Sequence, residues 1–155
     1  MRKLPADSYY LRKMRKDDIP YVKEIENLSF TNPWPEAAFK GEVENPGISF
    51  PYVIVLKGEE RIVGHIIYWK IKEEVQISNI AVHPDFRGLG MGEKVIRSIM
   101  AKIKNEGVSY IFLEVRPSNK TAVALYKKLE FQKLGLRKNY YHNPIEDAII
   151  MGRSL

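Results

Sequence analysis

The segment His83-Pro84-Asp85-Phe86-Arg87-Gly88-Leu89-Gly90-Met91-Gly92 constrains this chain more than any other, because it joins a strand pattern to a helix pattern. Three glycines in the six residues from Arg87 to Gly92 let the backbone turn tightly and approach a ligand. After them Val95, Ile96, Ile99, Met100 and Ile103 recur at helical spacing. A helix that starts there offers unpaired N–H groups and the positive end of its dipole. Loop and helix together make a cradle for phosphate, and Arg87 adds a cation. The run lacks the Gly-Lys-Ser/Thr of a Walker loop and the spacing of the dinucleotide fingerprint. The alternative is a flexible turn with no ligand. Strand, loop and helix in this order commit the chain to layers of helix on sheet.

The strand before the loop carries an irregularity. Val75 and Ile77 lie in one alternation phase, Ile80 and Val82 in the other. Strand side chains alternate with period two, so a change of phase turns the apolar set to the opposite face. One extra residue around Ser78-Asn79 restores the register, which is a β-bulge. The alternative is a strand buried on both faces, whose phase carries no meaning.

Other elements follow the same logic. Tyr9 to Met14 reads as a strand, after roughly eight residues expected to fray. Asp17-Asp18-Ile19-Pro20 opens a helix with Ile19, Val22, Ile25, Glu26 and Leu28 at helical period, and Asn32-Pro33-Trp34-Pro35 breaks it. A second helix spans Glu36 to Val43 and stops at Asn45-Pro46-Gly47. Tyr52 to Leu56 and Ile62 to Trp69 form a hairpin around Gly58-Glu59-Glu60. Tyr110 to Val115 is a further strand, and Ser118 or Asn119 caps a helix with Ala122, Val123, Leu125, Tyr126 and Leu129 on its apolar side. Phe131 to Leu136 and Asp147 to Met151 read as closing strands paired with each other. A strand–helix–strand unit implies parallel neighbours and the hairpins antiparallel ones. The expected fold class is α/β, a mixed sheet with helices on both faces, in one domain over the 155 residues.

Composition narrows the function. The chain has no cysteine, which removes disulfides, thiolate metal sites and a cysteine nucleophile. No apolar run approaches the ~20 residues of a membrane span. The start Met1-Arg2-Lys3-Leu4-Pro5 lacks the apolar core of a signal peptide, so a cytoplasmic location without membrane contact is expected. A net charge of +6 favours anionic partners, whether nucleic acid, phosphorylated cofactors or a ribosome. His65, His83 and His142 show no ligand spacing, so no metal site is expected.

Glu114 stands inside an apolar strand, sharing a face with Tyr110 and Phe112 while Ile111, Leu113 and Val115 form the other. A carboxylate there costs free energy unless it is paired or faces a pocket. In a pocket it suits a general base; the alternative is an ion pair with Arg116 or a lysine at the strand end. Tyr126 lies on the apolar side of its helix, where tyrosines are more often core; its phenol also suits protonation of a leaving group. Phe30, Trp34, Tyr140 and Tyr141 form aromatic clusters in or near loops, as core or as the walls of a groove.

These segments carry a family resemblance. Ser78 to Gly92 resembles the cofactor-binding motif of the GNAT acetyltransferases, Arg/Gln-x-x-Gly-x-Gly/Ala. Leu113-Glu114-Val115-Arg116-Pro117-Ser118-Asn119 and Ala124-Leu125-Tyr126-Lys127-Lys128-Leu129-Glu130-Phe131 resemble the motif that follows it. Phe30-Thr31-Asn32-Pro33-Trp34, Asn139-Tyr140-Tyr141 and Glu146-Asp147-Ala148-Ile149-Ile150-Met151 narrow this to the RimI-like enzymes that acetylate ribosomal-protein N-termini. The resemblance covers Tyr9 to Met151 and implies a mostly antiparallel GNAT sheet with one splayed parallel strand pair.

By the same resemblance, acetyl-CoA lies in the splay between the strands ending at Val82 and Val115. Ile80, Ala81 and Val82 offer backbone groups to the pantetheine and the thioester carbonyl. Arg87, Gly88, Leu89, Gly90, Met91 and Gly92 hold the pyrophosphate, and Asn119 contacts the cofactor beyond the thioester. Glu114 matches the general base and Tyr126 the general acid. Phe30, Trp34, Asn139, Tyr140 and Tyr141 match the walls of the acceptor groove.

Two positions depart from the family pattern. Glu130 stands where most members have Gly, so the helix is expected to end differently, and Asn32 replaces a more apolar neighbour of Pro33-Trp34. The implied reaction is direct acetyl transfer to the α-amine of a protein N-terminus beginning with Ala or Ser. Within the family the alternative is lysine, a polyamine or another small amine. Outside it the alternative is a non-catalytic basic module on RNA or the ribosome, although no RNA-recognition signature is present.

Overall fold

The computed structural model describes residues 8–155; the expected fraying falls on residues 1–7, outside the described residues. In chain order the elements are β1 (Tyr9–Lys13), α1 (Ile19–Ser29), α2 (Glu36–Val43), β2 (Ser49–Leu56), β3 (Arg61–Ile71), β4 (Glu74–Val82), α3 (Met91–Asn105), β5 (Tyr110–Val115), α4 (Lys120–Lys128), β6 (Gln132–Tyr141) and β7 (Glu146–Ser154). Among the described residues seven strands join in one sheet in the order β1-β2-β3-β4-β5-β7-β6. The β4–β5 pair is parallel and the other pairs are antiparallel. The expected mixed α/β class is the one the chain adopts, with closing strands longer than their apolar runs.

Period-two alternation sorts the sheet's side chains into two cores. Val53, Val55 and Ile67 face α1 and α2, packing with Ile19, Val22 and Phe39. Ile54, Ile66 and Tyr68 face the other way, into a cluster with Val95, Ile96, Ile99 and Ile103 of α3 and Tyr126 and Leu129 of α4. Each fully buried aliphatic side chain contributes about 1.5–3 kcal/mol, so the six buried residues of α3 are what hold that helix to the sheet. In α1 the expected stripe holds for Ile19, Val22, Ile25 and Glu26, but Leu28 points outward and is 52% exposed.

The bulge sits where the phase change puts it. Ile67 pairs with Asn79 and Tyr68 with Ile77, which leaves Ser78 as the extra residue. Ile80 and Val82 therefore pack against the same cluster as Val75 and Ile77. The parallel ladder of β4 with β5 runs from Glu74–Tyr110 to Ile77–Leu113 and ends there. Beyond that point β4 stays with β3, while β5 stays with β7 through Glu114–Ile150 and Val115–Ile149. The sheet thus opens into a V at the bulge.

At Glu130, the departure from the family pattern, α4 closes in a geometry that suits glycine. Glu130 takes the left-handed conformation, φ 68°, that glycine adopts most easily. The Glu130 N–H donates to Lys127 O (2.9 Å) and the Phe131 N–H to Tyr126 O (2.9 Å), the paired bonds of a Schellman turn.

Candidate active site

Two adjoining cavities occupy the V. The larger, about 620 Å³, is lined by Ile80, Ala81 and Val82 of β4, by Phe86, Arg87, Gly88, Gly90, Met91 and Gly92 of the glycine segment, and by Ser118, Asn119 and Leu125. The smaller, about 260 Å³, is lined by Glu26, Asn32, Trp34, Asn79, Glu114, Val115 and Tyr141. Phe30, Thr31, Ile80, Arg116, Asn119, Ala122 and Tyr126 line both, so they mark where the two meet.

The larger cavity suits a pyrophosphate-bearing cofactor. Gly90 is the N-cap of α3 with φ 81°, and a Cβ there would meet no heavy atom within 4 Å. The backbone therefore faces open space, and the first helical bond is Lys94 N–H to Gly90 O at 3.2 Å. The N–H groups before it have no partner within the helix. Glu93 in the same turn would repel an anion, but it is held by Lys128 (2.7 Å) and Arg97 (3.1 Å). Arg87 donates through Nε to Val82 O and through Nη2 to Ser29 Oγ, both at 2.8 Å. The arginine thus also ties the glycine segment to the end of α1. Leu89 is outside the lining of the cavity. Asn119 caps α4, its Oδ1 accepting from the Ala122 N–H at 3.2 Å.

In the smaller cavity Glu114 has a side chain 10% exposed, and its Oε1 lies 2.9 Å from Arg137 Nε of β6. Arg116, named as an alternative partner, is engaged elsewhere. Its Nη1 meets Glu146 Oε2 (3.2 Å) and Pro144 O (3.1 Å), its Nη2 donates to His142 O (2.9 Å), and it lies 4.3 Å over the Tyr141 ring. Sequence separation hides the Arg137 pair: β5 and β6 flank β7, which brings their side chains together only in the folded sheet. Burial, the Glu114 charge and a hydrogen bond to that carboxylate raise the Tyr140 phenol above its usual value. Burial and then the same charge raise that of Tyr141.

Tyr126 is 6% exposed, and burial pushes its phenol up to about 12. It reaches the V from the α3/α4 side of the sheet, whereas Glu114 lies on the other face of β5. Of the five residues matched to acceptor walls, Phe30, Trp34 and Tyr141 line the smaller cavity. Tyr140 stacks edge-on against Tyr141 at 5.0 Å. Asn139 lines neither cavity; its φ is 53° and its N–H donates to Asp147 Oδ1 at 2.9 Å. Asn32 Nδ2 donates to His142 O, so the loop after α1 is joined to the β6–β7 turn.

The motif reading passes over Glu26, which is 1% exposed beneath the smaller cavity. The sequence does carry a signal for it, a carboxylate in a helical apolar stripe, the same kind of signal that marks Glu114. Among the described residues no group of three or more His, Cys, Asp or Glu is placed to hold a metal ion, and no helix is long and apolar enough to cross a membrane.

Comparison with known proteins agrees with this architecture. A Bacillus subtilis protein provisionally named ribosomal protein bS18-alanine N-acetyltransferase is 41% identical over 142 residues, 91% of this chain and 92% of its own. The Escherichia coli protein of that name is 31% identical over 143 residues, 91% of this chain and 94% of its own. The crystal structure of the Escherichia coli ribosomal-protein-S18-alanine N-acetyltransferase superposes with a TM-score of 0.85 at 29% identity, covering 94% of this chain and 93% of that one. Ard1 from Thermoplasma volcanium gives 0.85 at 26% identity, covering 96% and 98%. The profile of the acetyltransferase (GNAT) family matches residues 19–131, a span that takes in the bulged strand, the glycine segment and Tyr126, and the chain belongs to that family.

Proposed function

We propose that this acetyl-CoA-dependent N-acetyltransferase modifies the α-amino group of a protein N-terminus, that of a ribosomal protein beginning with Ala or Ser. The whole described chain acts as one acetyltransferase domain, in the cytoplasm. The observation that carries the reading is the pair of cavities meeting at Tyr126, with Glu114 in the smaller one and the glycine segment in the larger. The names of relatives 31–41% identical along nine-tenths of the chain support the acceptor class.

Acetyl-CoA supplies an acetyl thioester, which an amine attacks without a covalent enzyme intermediate. The first-turn N–H groups of α3 and the backbone of Gly88 and Gly90 bind the pyrophosphate. Backbone groups of Ile80, Ala81 and Val82, which lie beyond the end of the β4–β5 ladder, orient the pantetheine, and an N–H near Val82 polarises the thioester carbonyl. Glu114 takes the proton of the attacking amine, directly or through a water, while Arg137 pairs with its Oε1. Tyr126, protonated at neutral pH, donates toward the departing sulfur. Phe30, Trp34 and Tyr141 wall the path of the acceptor, which enters as a short extended N-terminus.

The chemistry favours an α-amine. Its pKa of ~7.7–8.0 leaves on the order of a tenth neutral at pH 7, whereas lysine at ~10.4 leaves less than ~0.1%. The test uses one peptide in two forms, one with a free N-terminus and blocked lysine, the other with a blocked N-terminus and free lysine. Faster acetylation of the first form is expected. Faster acetylation of the second overturns the N-terminal reading in favour of lysine.

A further inference from the structure

Glu26 is buried in the V yet has no part in the steps above. Its Oε1 lies 3.1 Å from His65 Nε2. Both its oxygens accept from Asn79 Nδ2, at 3.1 and 3.0 Å. Oε2 also accepts from the Trp34 N–H at 3.0 Å. His65 Nε2 further meets Asn79 Oδ1 at 3.1 Å. Both atoms facing Nε2 are acceptors, so that nitrogen carries the hydrogen. Among the described residues Nδ1 has no partner, so Nε2 is the ring nitrogen that ties His65 to Glu26 and Asn79.

An apolar residue at position 26 would complete the stripe of Ile19, Val22 and Ile25 without the desolvation cost of a carboxylate. What the carboxylate adds is a junction of three segments. Asn79 is the residue just after the bulged Ser78, where β4 has lost its β5 neighbour. Trp34 lies in the loop that forms the acceptor wall, and its ring packs on Phe39 at 5.4 Å, which in turn stands edge-on to His65 at 5.6 Å. One carboxylate therefore links the free edge of β4, where the thioester is proposed to lie, to the wall that guides the amine.

We propose that Glu26 is a positioning residue that fixes the distance between the acceptor wall at Trp34 and the bulged strand at Asn79. The inference rests on the acetyltransferase reading above. A misplacement of about 1 Å between reacting partners can cost on the order of a hundredfold in rate, so the junction acts on acceptor turnover and leaves the glycine segment alone.

The experiment compares wild type, Glu26→Gln and the reciprocal swap Glu26→Gln with Asn79→Asp. In the single variant the new amide group faces Asn79 Nδ2, His65 Nε2–H and the Trp34 N–H, so at least one donor opposes another donor. In the swap the amide introduced at position 26 donates to the carboxylate introduced at position 79. That carboxylate still accepts from His65, so the link between positions 26 and 79 and the net charge return, while one donor–donor contact with His65 or Trp34 remains. With a peptide beginning in Ala, Glu26→Gln should raise KM and lower kcat for a combined loss of at least roughly tenfold. Acetyl-CoA affinity by calorimetry should stay within about twofold, and the swap should recover part of the loss. Wild-type peptide kinetics in the single variant overturn the proposal. So does a folded swap no better than the single, or a fall in acetyl-CoA affinity equal to the fall in rate. If Glu26→Gln does not fold, Asn79→Ala replaces it, since it removes the Asn79 link and leaves the Trp34 bond; unchanged peptide kinetics there overturn the proposal equally. If wild type prefers a lysine or a polyamine, the N-terminal reading fails, and the same comparison with that amine decides the role of Glu26 separately.

Discussion

Glu114 shows how one residue combines contrary demands. Its strand buries it, and the guanidinium of Arg137 at 2.9 Å offsets part of that cost. As the proposed base, it sets the first prediction. Glu114→Gln should lower turnover at neutral pH by about 10²–10⁴ with acetyl-CoA affinity preserved. Partial recovery should appear at high pH, where solvent deprotonates the amine. Rates equal to wild type over about pH 6–9 would make Glu114 structural. Tyr126 should matter less, because a thiolate with a pKa of ~8.5 is a fair leaving group. Tyr126→Phe is expected to cost about 10–100-fold in kcat with little change in stability. Since burial holds this phenol at about 12, the ratio of wild-type to variant rates should stay constant up to about pH 10. A ratio that falls toward one between about pH 8 and 10 would show that the phenol ionises there, contrary to its burial.

At the scale of elements, two residues beside helix ends make opposite contributions. The Asp18 carboxylate, just before α1, accepts from Arg12 at 2.7 and 2.9 Å and from the Arg15 N–H at 2.7 Å. Burial works against its ionisation, but these donors outweigh burial and hold the carboxyl below its ordinary value. A depressed folded-state pKa stabilises above the unfolded value of ~3.9, and the contribution is lost as pH falls through the folded value. Asp18→Asn should therefore cost about 1.5–3 kcal/mol at neutral pH, with the difference from wild type shrinking in acid melts below pH ~3. An equal difference at all pH values would disprove the linkage. The end of α4 gives the opposite sign. Glu130 occupies a left-handed position at φ 68°, and its exposed carboxylate reaches Arg153 at only 3.3 Å. Glu130→Gly should stabilise the fold by about 0.5–1 kcal/mol in denaturant titration, because relief of backbone strain exceeds the loss of a solvent-screened pair. Destabilisation would mean that the pair is worth more than the strain.

At the scale of the molecule, the sheet changes partners where the two cavities meet. α1 acts as a strut beside this opening, since Glu26 reaches the bulge while Ser29, three residues on, receives Arg87 from the glycine segment. The net charge of +6 suits both an anionic cofactor and a ribosomal setting, so it does not separate an enzyme from a basic binding module. Cofactor binding does. Acetyl-CoA at about 100 times its dissociation constant should stabilise the native state by about 2.7 kcal/mol, a rise in Tm of roughly 5–10 °C. Gly90→Glu, which places bulk and negative charge into the open space before α3, should abolish that rise. A protein unmoved by acetyl-CoA would fit the non-catalytic module instead.

Local chemistry determined what the sequence alone makes legible. The bulge at Ser78 follows from a phase change between Ile77 and Ile80, the start of α3 from three glycines ahead of an apolar stripe, and the oddity of Glu114 from its apolar neighbours. Each depends on residues adjacent in the chain, whose periodicity is itself the physical cause. The family resemblance added roles, but not the contacts that sustain them. Tertiary structure alone decided that Glu114 pairs with Arg137 and not Arg116, that Asn32 bridges to His142, that Asn139 stands away from both cavities, and that Glu26 joins Trp34 to Asn79. All of these depend on which strands and loops become neighbours after the sheet forms. A buried charge must find some partner, but the fold selects that partner from residues far apart in sequence.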